Sequence, residues 1–125
     1  MIKALLLAGC GGFLGACGRF LVGKACALLW HGAFPLGTFL VNITGCLLIG
    51  IFTGLFEKSR ALTPEEHLLL VTGLCGGFTT FSTFANDMWS LGDRGSWGLL
   101  ALYLGGSVAV GVLMVCIGRA LVRWI

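Results

Sequence analysis

The groups in this sequence with chemistry to offer are one amide, a run of hydroxyls and a set of aromatic edges, and all lie inside apolar stretches. Asn42 stands one helical turn beyond Thr38, and Tyr103 and Ser107 are four residues apart, so a helix would put each pair on one face. Thr79, Thr80, Ser82 and Thr83 interleave with Phe78, Phe81 and Phe84. Polar groups within apolar spans are costly and mark pathways. These are neutral: no Asp or Glu falls near the middle of an apolar stretch, and Asn86 and Asp87 come near the end of the third. Uncharged amide and hydroxyl donors suit a small anion, which they can hold without trapping. The ring edges of Phe81 and Phe84 carry partial positive charge and would add to this. Each residue also has a purely structural reading, as helix glue for the Ser, Thr and Asn and as core or lipid-facing surface for the Phe. Arg19, mid-way through the first stretch, is the fixed charge in this set.

The elements that must position these groups are membrane helices. The chain has 125 residues, of which 58% are hydrophobic and only 10% charged, with a mean hydropathy of +1.01. A soluble domain carries about 25% charged residues. A span needs roughly 20 mostly apolar residues, and four segments qualify, at about 4–30, 36–56, 67–91 and 97–122. No polar stretch is long enough for a separate soluble domain, so the whole chain reads as one all-α membrane domain. His31 to Pro35 and Gly92 to Ser96 are turns. In the polar loop Glu57 to Glu66, Thr63-Pro64-Glu65-Glu66 gives an N-cap, a Pro at the first helical position and acids in the first turn.

The third span is interrupted by Gly73-Leu74-Cys75-Gly76-Gly77-Phe78-Thr79-Thr80-Phe81-Ser82-Thr83-Phe84. Adjacent Gly76 and Gly77 cost a helix about 1 kcal/mol each relative to Ala, and backbone that leaves the helix at membrane depth must find partners in protein or water. The run reads either as a deliberate break that frees carbonyls and amides, or as a glycine kink whose hydroxyls bond back to their own helix.

Rows of small residues allow helices to approach closely in lipid. Gly11 and Gly15 form one row, continued by Arg19; Cys46, Gly50 and Gly54 form another; Gly105 and Gly106 sit in the fourth span. Four spans cannot enclose an aqueous path and still pack on each other, so a conducting protein of this size must oligomerise. Lys3, Lys58, Arg60, Arg119 and Arg123 fall on the side of the termini, against Lys24 and Arg94 on the other, a bias toward cytoplasmic termini. The net charge is +3 and the basic residues are scattered, with no patch suited to nucleic acid. Six cysteines lie in or at the ends of apolar runs without a Cys-x-x-Cys pair or clustered His, which argues against a thiolate metal site. Leu7-Ala8-Gly9-Cys10 resembles a lipoprotein cleavage box, but its apolar lead is only a few residues, short of the roughly 7–15 of a signal segment.

The run Gly73–Phe84, with Gly37-Thr38-Phe39-Leu40-Val41-Asn42 and Gly11-Gly12-Phe13-Leu14-Gly15-Ala16-Cys17-Gly18-Arg19 upstream, resembles the Fluc-type (CrcB) fluoride-specific ion channel family over the whole chain. That resemblance implies an antiparallel, dual-topology homodimer in the cell (inner or plasma) membrane, with a broken third helix and two pores that export cytoplasmic fluoride passively. It implies that Asn42 donates to the ion and that Phe81 and Phe84 line its path. Thr38, Tyr103 and Ser107 would fall on a polar track beside the Thr80, Ser82 and Thr83 hydroxyls, with Arg19 near the aqueous mouth. It also implies a structural Na⁺ at the dimer centre, held by the backbone carbonyls of Gly76 and Thr79. Two features depart from the pattern. Gly111 stands where some relatives carry a hydroxyl, and the charge bias favours one orientation whereas dual insertion needs near balance. The competing readings are a small four-span proton-coupled drug exporter, which needs an acid in its first helix where this chain has Arg19, and a non-transporting membrane scaffold.

Overall fold

A computed structural model describes residues 1–59 and 61–125; Arg60, counted above in the charge bias, lies outside them. All regular structure among the described residues is helical: α1 (Ile2–Leu29), α2 (Leu36–Ser59), α3 (Pro64–His67), a π-helical segment (Leu68–Cys75), α4 (Gly76–Phe78), α5 (Phe81–Asp93) and α6 (Trp97–Trp124). Four spans of membrane-crossing length and apolarity result, Ile2–Leu29, Leu36–Lys58, Pro64–Asp93 and Trp97–Trp124, and the protein is a multi-pass membrane protein. Large apolar side chains such as Phe13, Phe20, Leu28, Val112 and Leu113 are more than half exposed. That suits lipid-facing helices, because lipid tails are as apolar as the side chains themselves.

The third span begins where the sequence places its cap. The Thr63 hydroxyl accepts from the Glu66 N–H at 3.2 Å, and the Glu66 carboxylate accepts from the Thr63 N–H at 2.8 Å, a reciprocal capping box. Beyond it the backbone widens into i→i+5 hydrogen bonding, so that the Gly76 N–H reaches the Val71 carbonyl. Segments of this kind are rare and concentrate at functional sites. The run Leu68–Cys75 is uniformly apolar apart from Thr72, and nothing in its residue types distinguishes a π from an α winding.

The glycines expected to break this span do not break it. Gly76 is helical, at φ −63° and ψ −37°, and Gly77 lies within α4. The helix ends two residues later, at Thr79 (φ −78°, ψ 159°) and Thr80 (φ −150°, ψ 116°). Both are β-branched residues whose hydroxyls compete with helical hydrogen bonding. Gly77 serves a different purpose: a Cβ there would lie 2.5 Å from the Gly12 carbonyl oxygen and 2.9 Å from its Cα. Across the same seam a Cβ on Gly15 would sit 2.7 Å from the Phe78 N, and one on Gly73 would sit 2.8 Å from the Gly11 Cα. Gly11, Gly12 and Gly15 of α1 thus interlock with Gly73 and Gly77, backbone against backbone.

A second seam joins α2 to α6. A Cβ on Gly50 would meet the Val115 carbonyl oxygen at 2.5 Å, and one on Gly118 would meet the Leu47 oxygen at 2.5 Å. The α6 side of this seam is Gly111, Val115, Gly118 and Val122. Gly105 and Gly106, the small pair singled out in the sequence, meet nothing within 4 Å. The buried aromatic core is Phe84, Leu91 and Tyr103 with Phe34 and Phe39 against it. Phe34 is held there by the α1–α2 turn, where its carbonyl accepts from the Trp30 Nε1–H at 2.9 Å.

At the end that holds both termini, Lys3 pairs with Glu65 at 2.6 Å and Arg119 with Glu57 at 2.8 Å. Lys58 Nζ donates to the last carbonyls of α6, Val122 and Arg123, at 2.9 and 3.1 Å, a favourable place for a cation.

The first seam generates a stability prediction. Gly15→Ala must push α1 away from the half-helix, costing about 1–3 kcal/mol by overpacking, whereas Gly23→Ala has open space around it and gains up to about 1 kcal/mol of helix propensity. Thermal unfolding in detergent should show a lowered midpoint for the first variant and an unchanged or raised one for the second.

Candidate functional site

The break must satisfy its own backbone, and Asn42 does this from the neighbouring helix. Its Oδ1 accepts from the Thr80 N–H at 2.8 Å, and its Nδ2 donates to the Thr80 carbonyl at 3.2 Å. The side-chain amide therefore mimics one rung of a β ladder. One of its two N–H donors is spent on Thr80 and the other is left for a further acceptor. The Thr80 hydroxyl accepts from the Thr83 N–H at 3.2 Å and caps α5. It also reaches the Thr83 hydroxyl at 3.0 Å and the Ser82 hydroxyl at 3.4 Å. The Thr79 hydroxyl turns back to the Cys75 carbonyl at 2.9 Å, the self-satisfied arrangement weighed as the alternative for the whole run.

These bonds leave two carbonyls behind. In a continuous helix the Thr80 N–H would bond the Gly76 carbonyl and the Thr83 N–H the Thr79 carbonyl. Here Thr80 gives its N–H to Asn42 and Thr83 gives its own to the Thr80 hydroxyl. The break thus sets the carbonyl end of one half-helix beside the N–H end of the next. The first favours a cation and the second an anion.

Thr80, only 8% exposed, lies in the walls of two hollows. The larger, about 380 Å³, has Asn42, Cys46, Gly76, Thr79, Phe81 and Phe84 among its lining residues. The smaller, about 190 Å³, is lined by Arg19, Gly23, Gly37, Thr38, Val41, Thr80 and Thr83. Thr80, held by Asn42, is the residue whose wall the two hollows share. Asn42, Phe81 and Phe84 are thereby gathered on one side, and Arg19, Thr38 and Thr83 on the other.

The aromatic residues separate by burial. Phe84 is buried, with its ring centroid 4.9 Å from that of Tyr103 and 6.1 Å from that of Phe81, whereas Phe81 is 79% exposed. Tyr103 is wholly buried and donates its hydroxyl to Asp87 Oδ2 at 3.0 Å. Ser107 lines neither hollow, and its buried Oγ has no hydrogen-bond partner among the described residues. Gly111, one turn on, is closed off by Cys46, whose Sγ would lie 3.3 Å from a Cβ there.

Sequence reasoning left Asp87 out of this group. The residue sits sixteen positions from Tyr103 on another element, and no spacing within one helix could pair them. Phe34 was missed in the same way, since it lies in a turn and reaches Tyr103 at a centroid distance of 5.5 Å only in the folded chain.

Comparison with known proteins places this arrangement. The model of the family described as CrcB-like protein, Camphor Resistance (CrcB), matches residues 6–119, from α1 into α6. A Chlorobium phaeobacteroides protein named fluoride-specific ion channel FluC is 46% identical over 120 residues, 96% of this chain and 93% of its own length. Proteins of the same name from Maridesulfovibrio salexigens and Nitrobacter winogradskyi are 42% identical over 125 residues and 43% identical over 119. These cover 100% and 95% of this chain and 98% and 94% of their own lengths. With the match running through all four spans and across the break, the chain belongs to the CrcB family.

Proposed function

We propose that this protein is a passive, fluoride-selective channel of the bacterial inner membrane, working as an antiparallel homodimer with two pores. The observation that carries the reading is the Asn42–Thr80 pair: a neutral amide with an unspent N–H, fixed at a helix break and flanked by Phe81, Phe84 and the Thr83 hydroxyl. The names of the relatives supply the ion. A small, strongly hydrated anion needs several donors close together to replace its water, and donors without charge let it leave again. A negative-inside potential then drives it outward with about 2.3 kcal/mol per 100 mV.

Support for a second copy comes from what one copy leaves uncovered. Phe81, Thr72 and Gly76 are exposed around the larger hollow, and Thr83 is exposed beside the smaller. Hydroxyls and open backbone do not face lipid at membrane depth. A second chain over this face would enclose the hollow and bring a second set of donors to it. The Gly76 and Thr79 carbonyls fit a structural Na⁺ on the same grounds. They are hard oxygen donors, their helical partners are engaged elsewhere, and Gly76 carries no side chain to shield its oxygen. Two copies would offer four such oxygens, and the bound ion would supply positive charge to the dimer centre.

In this account Arg19, Thr38, Thr80 and Thr83 form the vestibule. Arg19 draws anions toward the mouth and lies apart from the neutral stretch. Tyr103 continues the track, oriented by Asp87, and Ser107 with its unpartnered hydroxyl extends it. Gly111 brings no hydroxyl, so the track ends at Ser107.

Purified protein in liposomes should pass fluoride and not chloride, read with ion-selective electrodes; chloride efflux of similar size would reject the reading. Phe81→Ile should greatly reduce fluoride flux with thermal stability of the single chain unchanged, because Phe81 is exposed, whereas Phe84→Ile should lose both flux and stability. Unchanged flux in both variants would remove the aromatic groups from the path. Asn42→Asp keeps the acceptor for the Thr80 N–H but adds a negative charge. Repulsion of about 4 kcal/mol at 4 Å and an effective dielectric of 20 would cut flux by at least about a hundredfold. Asn42→Leu should in addition lower the unfolding midpoint.

A further inference from the structure

The turn between α5 and α6 holds a third hollow with its own chemistry, remote from the break. Met88, Trp89, Gly92, Asp93, Trp97 and Leu100 line an open pocket of about 400 Å³. The third span ends at Asp93 and the fourth begins at Trp97, so the pocket sits at the level where lipid headgroups meet the protein. Trp89 and Trp97 are 69% and 67% exposed. Trp is at home at this depth, yet here two of them flank one carboxylate.

The turn is rigidly specified. Gly95 takes φ +74°, a conformation that a side chain would strain. The Gly95 N–H bonds the Gly92 carbonyl at 3.0 Å, and the Ser96 N–H bonds the Leu91 carbonyl at 2.9 Å. Gly92 lies beside the Trp97 ring and Leu100, and a Cβ there would make ordinary contact with both at 3.5 Å. Asp93 is the last residue of α5, at the negative end of the helix, where an acid is disfavoured and a cation favoured. Among the described residues its carboxylate has no hydrogen bond or ion pair, and the guanidinium of neighbouring Arg94 is likewise unpaired.

Two indole rings, a thioether and an uncompensated carboxylate make a site for an organic ammonium. The carboxylate supplies the charge, and the rings supply cation–π attraction, which is strongest for Trp. We propose that this pocket binds the headgroup of a zwitterionic ethanolamine phospholipid, with the ammonium between Trp89, Trp97 and Asp93. The proposal is independent of which ion the protein conducts.

The purified protein in detergent, delipidated and titrated with phosphatidylethanolamine, phosphatidylglycerol or acyl-free glycerophosphoethanolamine, tests it by counting bound molecules in native mass spectrometry. Phosphatidylethanolamine should be retained at least about fivefold more tightly than phosphatidylglycerol, in keeping with one cation–π and charge contact at an exposed site. Asp93→Asn, nearly isosteric and on the surface, should abolish that preference while leaving phosphatidylglycerol retention as it was. Trp89→Leu combined with Trp97→Leu should weaken ethanolamine-lipid binding with Asp93 still in place. Equal retention of the two lipids, or a preference that survives Asp93→Asn, overturns the proposal. Binding of glycerophosphoethanolamine as tight as that of the lipid would overturn the lipid as the ligand.

Discussion

A helix that stops inside a membrane leaves amides and carbonyls that lipid cannot satisfy, and the architecture of this chain is a response to that constraint. Each unpaired group would cost several kcal/mol. Asn42 relieves the two on Thr80 with one side chain, and the Thr80 hydroxyl relieves a third by capping α5. Because Asn42 belongs to α2 and Thr80 to the third span, the break is also a tether between elements. The α2–α6 seam then fixes Asn42 in place, and the α1 seam fixes the half-helix that ends at Thr79. Removal of either seam would free one partner of the Asn42–Thr80 pair.

The two seams explain why so many glycines are compatible with a stable helical protein. Water cannot drive membrane helices together, so close approach and dispersion must do it. Gly11, Gly15, Gly73 and Gly77 let backbones touch at distances no Cβ would permit, and the propensity penalty is offset by contact over the length of the crossing. Close packing also fixes the rotation of the half-helix. With Gly73 and Gly77 turned toward α1, Thr72, Gly76 and Thr79 are left lining the larger hollow. The π winding of Leu68–Cys75 is part of the same geometry, since it sets the phase between the capped start at Thr63 and the glycines of the seam.

The sequence was legible wherever one residue type in an apolar setting was unusual by itself. Four spans, the Thr63 cap and the presence of Asn42 could be read in that way. The run that holds the break, Gly73–Phe84, was legible too, but not the residues at which the helix stops. Gly76-Gly77 looked like the weak point, yet the helix runs through both, and contact of Gly77 with Gly12 of α1 offsets part of the propensity cost. The threonines that follow end the helix because their backbone has a partner in Asn42, thirty-eight residues away. The same limit hid the Asp87–Tyr103 bond and gave the fourth-span seam to Gly105 and Gly106 in place of Gly111 and Gly118. Pairings across helices depend on rotation and register, which the spacing within one helix does not encode.

Charge placement ties the site to its task in the proposed reading. The ends of the two half-helices meet at Thr79–Thr80, so partial negative charge on the Gly76 and Thr79 carbonyls lies beside partial positive charge at the start of α5. A path for an anion along the α5 side has to keep full charges out of its narrow part: a fixed cation would hold the ion and a fixed anion would exclude it. Arg19 meets that requirement by lying with Thr38 and Thr83 in the smaller hollow, whereas Phe81 lines the larger. Asp87 keeps its full charge while it accepts the Tyr103 hydroxyl in a hydrogen bond, and it meets the requirement by lining neither hollow. That bond occupies one carboxylate oxygen and holds the phenol against Phe84. The carboxylate thus acts on the track through the orientation of the phenol.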